Sequence, residues 1–387
     1  MLYFDNNATT PVAPEAAEAL TMAAREIFGN PSSSHREGQR ARQQIEDARR
    51  KIASFLHADA AEIVFTSGGT ESDNLAIFGL IRTLPGTRKH AITTEIEHPA
   101  VLEPFRRLER DGLEVTYLKP DESGTVTADT VARNLRPETV MISVMHANNE
   151  TGVIQPIEDI AAIVRRARDG GQPIYFHSDG VQAAGKLDAN LNDLGIDLYS
   201  ISAHKIYAPK GMGALAVRKG TPLHGRQLGG RHERDRRGGT ENVPGACAFA
   251  RAAELCGEAD RAHFAALRDR FEAQVLSALA DVEVNGAGAK RVPNTSNLLF
   301  RGISAEALMI ALDVQGMAVS TGAACSSGAI EPSHVLIAMG RTPDEAKSSV
   351  RFSFGRYNSE EEADRLSDAV IACVRRLRER VREQQLV

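Results

Sequence analysis

Cysteine is scarce in this sequence. The four present, Cys247, Cys256, Cys325 and Cys373, form neither a close Cys-x-x-Cys pair nor a dense framework, which argues against structural disulfides and a structural zinc site. Long apolar stretches are missing as well. No uninterrupted run approaches the roughly 20 residues that span a bilayer, and the start, Met1-Leu2-Tyr3-Phe4-Asp5, has no basic leader region. A cytoplasmic protein without membrane contact is therefore expected. An excess of positive charge is absent too: the formal net charge is -5, which gives no electrostatic reason to expect a nucleic acid partner. Internal repeats and low-complexity tracts are lacking. What remains, 42% hydrophobic and 25% charged residues over 387 positions, is a globular composition. The chain is too long for one ordinary core and suits two or three lobes.

From about residue 60 to 220, apolar strand-like runs alternate with amphipathic helical stretches. The runs are Glu62 to Phe65, His90 to Thr93, Val115 to Leu118, Val140 to Met145, Ile174 to Phe176, Leu198 to Ile201 and Gly213 to Val217. This alternation predicts an α/β fold with a mainly parallel, seven-stranded sheet and helices on both faces. In such a sheet, ligands bind beyond the carboxyl ends of the strands. A glycine- and arginine-rich connection, His224 to Asn242, ends the pattern, and a helical segment from about Val243 to Leu279 follows. Beyond it, Val282 to Val284, Ser296 to Phe300 and Val350 to Phe354 read as strands of a smaller α+β lobe. Ser359-Glu360-Glu361-Glu362 opens the final helix as a capping box, with acids at the positive end of the dipole. The expected division is a large domain over residues 15–258 and a small domain made of 1–14 and 259–387.

Two strand ends carry most of the chemistry. One run leads into Ser202-Ala203-His204-Lys205, the other into His177-Ser178-Asp179-Gly180-Val181-Gln182. An amine for a Schiff base, an acid against a ring nitrogen and donors for a phosphate are what pyridoxal phosphate requires. A lone strand-end lysine is usually a solvated charge, but Ser202 and His204 beside Lys205 can donate to a phosphate, and a desolvated amine attacks aldehydes. Asp179 alone would read as a turn residue; with Gln182 and Lys205 it reads as the partner of a pyridinium. Ser67-Gly68-Gly69-Thr70-Glu71-Ser72 follows the first strand and opens a helix, a place where backbone N–H groups meet phosphate. Such turns are common in α/β proteins, and it is the company of the lysine motif that makes this one a phosphate cup. His98, in Glu95-Ile96-Glu97-His98-Pro99, could stack on the ring and relay protons; an exposed loop histidine is the plainer alternative. In Asn148-Asn149-Glu150 an amide could reach the ring oxygen or a substrate carboxylate, the alternative being turn formation.

Cys256 and Cys373 fall at apolar helical positions and read as small core residues. Cys325 differs. It lies in Ser320-Thr321-Gly322-Ala323-Ala324-Cys325-Ser326-Ser327-Gly328, small residues with little to bury, which suggests an exposed loop with an accessible nucleophile. Arg351, on an otherwise apolar strand with Phe352 and Phe354, could clamp a substrate carboxylate or sit in a buried ion pair. The arginines Arg226, Arg231, Arg234, Arg236 and Arg237 leave room for a noncatalytic docking or RNA-binding reading, though such runs are more often solvated loops.

Taken together these segments resemble the class V, fold-type I pyridoxal phosphate enzymes and, within them, the cysteine desulfurases of the NifS and IscS kind. The resemblance begins at Tyr3-Phe4-Asp5-Asn6-Asn7-Ala8-Thr9-Thr10 and Gly29-Asn30-Pro31-Ser32-Ser33. It continues through Asn148-Asn149-Glu150-Thr151-Gly152 and Arg237-Gly238-Gly239-Thr240-Glu241-Asn242 to Val350-Arg351-Phe352-Ser353, so it covers nearly the whole chain. It implies that Lys205 holds pyridoxal 5'-phosphate as a Schiff base and then acts as base, that Asp179 pairs with the ring nitrogen, and that Gln182 bonds the ring hydroxyl. His98 would stack on the ring, and Gly69, Thr70, Ser202 and His204 would hold the phosphate. Thr240 would reach that phosphate from the other subunit of a homodimer. Asn149 and Arg351 would hold the carboxylate of L-cysteine, Cys325 would take its sulfur as a persulfide, and L-alanine would leave.

A sulfur-acceptor protein such as an iron–sulfur scaffold is the implied partner, serving iron–sulfur assembly or tRNA thiolation. Ala323 stands where many relatives have serine, a change expected to matter little to the nucleophile, and the chain ends at Val387 without the longer docking tail of IscS-type members. Selenocysteine cleavage or another class V transamination is the alternative activity, and the Cys325 loop argues against simple transamination.

Overall fold

The computed structural model describes residues 1–86, 89–322 and 331–385. Seven strands form the main sheet, in the spatial order Ile63–Thr66, Gly213–Val217, Leu198–Ser202, Tyr175–Asp179, Thr139–Ser143, His90–Thr94 and Glu114–Leu118. Gly213–Val217 runs antiparallel to both neighbours, and the other pairings are parallel. Every strand but the edge strand Glu114–Leu118 is buried along its length, apart from the half-buried Tyr175 that opens its strand. Burial on two faces explains why these strands read as continuous apolar runs rather than alternating ones.

Adjacent residues on a strand point to opposite faces, and the core around the main sheet divides accordingly into two sides. Phe65 and Ile142 join Ile45, Ile52 and Phe249 on one side, under the helices Pro14–Glu26, Arg36–Phe55 and Val243–Leu255. Their neighbours Val64 and Met141 join Leu75, Ile77 and Phe105 on the other, under Gly69–Ile81 and Pro99–Arg110.

Some boundaries differ from expectation. Tyr175–Asp179 extends past Phe176 because His177 and Ser178, though polar, are fully buried; His177 bridges the flanking strands through Ser143 Oγ at 2.8 Å and Ser200 Oγ at 3.1 Å. The segment expected as one helix from Val243 to Leu279 is two, Val243–Leu255 and Glu258–Ala278, separated by extended backbone at Cys256 and Gly257. Cys256 is thus half-buried past a helix end rather than within a helix, while Cys373 is buried in the final helix as expected.

A second core gathers Phe4, Leu267, Phe271, Leu298, Phe300, Phe352, Phe354 and Val370 around an antiparallel sheet ordered Ser349–Ser353, Thr295–Phe300, Val282–Val284. The last helix, Glu360–Gln385, opens on the expected capping box: Ser359 Oγ accepts from Glu362 N at 3.2 Å and Glu362 Oε2 accepts from Ser359 N at 3.4 Å. The N-terminal segment joins the two cores, with Phe4 in the second and Ala13 in the first. Between them, Asn7 N–H donates to Ser353 Oγ and Thr10 N–H to the His204 carbonyl. Residues 5–10 are thereby stitched across the strand ends that carry the polar motifs. Among the described residues no helix is long and apolar enough to cross a membrane.

Candidate active site

Register aligns the polar strand ends. Asp179 pairs with Ser200, Ser202 with Gly213, and Gly213 with Thr66, so the turn after Thr66, the end of Ser202 and the end of Asp179 open on one side of the sheet. A cavity of about 380 Å³ lies there. Of the residues singled out from sequence, Gly69, Thr70, His98, Asn149 and Asp179 line it. So do Gln182, Ser202, His204, Lys205 and Arg351. Thr240 is exposed and outside this lining, and Cys325 lies outside the described residues.

One end of the cavity is made of backbone and short side chains. Gly69 begins a 13-residue helix, whose first turn has N–H groups free of helical partners. A Cβ at Gly69 would meet Val181 Cγ2 at 2.7 Å, so only glycine leaves that approach open. Ser202 Oγ is buried without a hydrogen-bond partner among the described residues, and a buried hydroxyl left so implies a ligand or water to satisfy it. His204 Nδ1 lies 3.1 Å from Thr9 Oγ1, and burial lowers its pKa to about 4, with the Lys205 charge adding to the effect. A helix N-terminus, an orphaned hydroxyl and a neutral imidazole form a donor set that fits a phosphate.

The other end is made of buried charges and amides. The half-buried Lys205 Nζ donates to the carbonyls of Asn7 at 2.5 Å and Ala8 at 2.7 Å. Burial, then repulsion from Arg351, lowers its pKa from 10.5 to about 8, against the pull of Asp5 and Asp179. Asp179, buried and close to Asp73, is raised from 3.8 to about 7, and it accepts from Val181 N at 2.9 Å. Gly180 between them has no room for a side chain, because a Cβ would fall 1.9 Å from the Tyr199 ring. Such an acid becomes a carboxylate beside a pyridinium, so the residues present fit pyridoxal phosphate at both ends. His98 caps the helix Pro99–Arg110, its Nδ1 accepting from Ala100 N at 3.1 Å. Its remaining proton therefore sits on Nε2; the ring is exposed to the open cavity, yet desolvation by the protein packed around it, with the nearby Lys205 charge, lowers its pKa to about 4.

Arg351 is both cavity wall and ion-pair partner. It donates to Asp5 Oδ1 at 2.6 Å and to the Asn149 carbonyl at 2.8 Å, while its Nε is buried without a partner among the described residues. The guanidinium thus keeps its Nε–H uncommitted among the described residues.

The family model of class-V aminotransferases matches residues 2–366. The chain belongs to this family. It is 44% identical over 380 residues to a cysteine desulfurase IscS of Dictyoglomus turgidum, covering 97% of this chain and 95% of that one. Among solved structures it resembles a NifS-like protein with a TM-score of 0.90 and 35% identity, over 97% of this chain and 100% of the other. It also resembles SspA in complex with cysteine, with a TM-score of 0.81 and 36% identity, over 93% and 100% of the two chains. Its cofactor is pyridoxal phosphate.

Several residues of this class-V site escaped the reading of the sequence. Asp73 is buried in the cavity wall and raised to about 7 by its burial, yet it lies inside a helix where a carboxylate carries no motif. Asn7 and Ala8 act through main-chain carbonyls, which no side-chain pattern reveals. Lys186 lies four residues after Gln182, in a run of turns, and is 4% exposed; no helical or strand period marked it in the sequence.

Proposed function

We propose that the chain is a pyridoxal phosphate-dependent cysteine desulfurase that converts L-cysteine to L-alanine and passes the sulfur to Cys325 as a persulfide. The observation that carries this reading is the Lys205 amine, held near pKa 8 and donating to main-chain carbonyls in a cavity it shares with Asp179 and Arg351. The names of its full-length relatives support the substrate and reaction.

When bound, pyridoxal phosphate supplies an aldehyde for that amine and a ring that accepts the electrons left at the substrate's Cα. Gly69, Thr70, Ser202 and His204 hold the phosphate, Asp179 faces the ring nitrogen, Gln182 the ring oxygen, and His98 packs on the ring. As a free amine, Lys205 Nζ has the base strength to take the Cα proton near neutral pH. Arg351 and Asn149 hold the substrate carboxylate, with Arg351 giving up part of its contact with Asp5.

Cys325 is three residues beyond Gly322, which lines the cavity, and three residues of chain reach at most about 11 Å. Its thiolate attacks the substrate sulfur: a sulfur–sulfur bond forms, the Cβ–S bond breaks with its electron pair going to carbon, and protonation there leads to alanine. The persulfide is then handed to an acceptor protein such as an iron–sulfur scaffold in the cytoplasm. The cofactor-binding domain spans 15–258, and 1–14 with 259–387 form the smaller one. In a homodimer, Thr240 reaches the phosphate of the second copy's site.

Borohydride reduction of the holoenzyme followed by peptide mapping is expected to place the pyridoxyl group on Lys205. Cys325→Ala is expected to lose sulfide and alanine production while keeping the cofactor's absorbance. A label on another lysine, or undiminished turnover in Cys325→Ala, rejects the reading.

A further inference from the structure

Lys186 is a buried amine that the chemistry above does not use. It lies on the polypeptide just after Gln182, in Gln182-Ala183-Ala184-Gly185-Lys186. Its Nζ donates to Gln182 Oε1 and, at 2.9 Å, to Asn7 Oδ1. These partners are neutral amide oxygens. No carboxylate pairs with it among the described residues, and burial beside Lys205 and Arg351 holds its pKa well below 10.5. A lysine desolvated without a counter-ion is costly, so its position is accounted for by what its hydrogen bonds arrange.

Both partners touch the reactive lysine's surroundings. With Oε1 taken by an N–H donor, Gln182 must turn its Nε2 the other way, where it donates to the Asn7 carbonyl at 3.0 Å and keeps a second hydrogen for the cavity. That same Asn7 carbonyl accepts from Lys205 Nζ. The Asn7 side chain is held from its far side by Asn294 Nδ2 at 3.0 Å, and its Nδ2 donates to Thr295 Oγ1 at 2.9 Å. Lys186 thus ties the amide facing the ring oxygen to the carbonyl holding the reactive amine.

The geometry points to Lys186 as a positioning residue that fixes Gln182 with its N–H edge toward the cofactor's ring oxygen and so tunes the basicity of the lysine–cofactor imine nitrogen. This rests on the pyridoxal phosphate reading of the site. The sign follows from hydrogen bonding. A donor to the ring oxygen withdraws negative charge from it, and that oxygen then holds the imine proton less tightly. Weakening the donor therefore raises the imine's pKa. The other charges facing this nitrogen are Asp179 and Asp73, Arg351 with its partner Asp5, and the neutral imidazoles of His98 and His204. A change at position 186 removes none of these groups; it does remove the amine's own Coulomb interaction with Lys205 and Arg351, an effect that would persist without Gln182.

The test is a pH titration of the visible absorbance of the purified holoenzyme, which reads imine protonation independently of turnover. In Lys186→Met the midpoint is expected to rise by about one unit. Lys186→Gln keeps a neutral donor, is expected to rise by about half as much, and carries the test alone if the methionine variant does not fold. In a Gln182→Met background either change should add almost nothing, because the path through the amide is already cut. Unmoved midpoints, or shifts that persist in full without Gln182, overturn the inference. A wild-type protein whose absorbance shows no cofactor on Lys205 overturns instead the site reading beneath it.

Discussion

The two ends of the cavity are built by different means. At the phosphate end, Gly69 and Thr70 with Ser202 and His204 present a helix N-terminus and short side chains from the ends of the two strands that flank Gly213–Val217, and the recognition they offer is local geometry. At the ring and carboxylate end, Asp179, Gln182, Lys186, Asn7, Asp5 and Arg351 come from distant parts of the chain; the Gln182–Asn7 and Lys205–Asn7 contacts span 175 and 198 residues. Here burial does the chemical work, moving Lys205 down to about 8 and Asp179 up to about 7. Anion binding is thus a property of a turn, whereas reactivity is a property of an enclosure.

The contrast can be broken most severely at Asp179. Asp179→Ala is expected to lower kcat for alanine formation by at least about 100-fold, the scale of removing one partner of a buried charge pair, while the cofactor stays bound through the phosphate end. Loss of the cofactor with that substitution would show that the two ends are not separable. Next comes Arg351→Lys, which keeps the charge but not the planar fork. KM for cysteine should rise about tenfold with a smaller change in kcat, and Asp5→Asn, by releasing the guanidinium, should lower it.

At the opposite end, Gly69→Ala places a methyl 2.7 Å from Val181 Cγ2. Equilibrium dialysis is expected to find cofactor affinity several-fold weaker, with Val181→Ala in the same chain restoring most of it. A last prediction needs no substitution and concerns pH. A pKa lowered to about 8 leaves the Lys205 amine uncharged above that value. Capture of pyridoxal phosphate by cofactor-stripped protein should therefore climb about tenfold per unit below pH 8 and flatten above it. A rate still climbing toward pH 10 would mark an ordinary lysine.

The phosphate end was the more legible of the two. Ser67-Gly68-Gly69-Thr70 and Ser202-Ala203-His204-Lys205 each carry their meaning within a few residues, and strand ends in an open α/β sheet face the ligand by topology. The other end hid its parts. Asn7 contributes a carbonyl, Lys186 looks like any lysine after a turn, and Asp73 sits in a buried helix. The strand Tyr175–Asp179 reads shorter in the sequence because His177 and Ser178 are polar, although the Ser143 and Ser200 hydroxyls on the flanking strands make the burial of His177 tolerable. Arg351 illustrates a choice the sequence left open: it is a cavity residue and an ion-pair partner at once.

From the order of residues alone came the alternating sheet, the strand-end lysine and acid, the glycine turn and the family they resemble, because each is encoded in short-range spacing and hydrophobic period. Folding decided the rest: which carbonyls cradle Lys205, which carboxylates lose water, and which amide Lys186 turns. Desolvation and Coulomb fields depend on what surrounds a group in three dimensions, and no linear pattern carries that distance information.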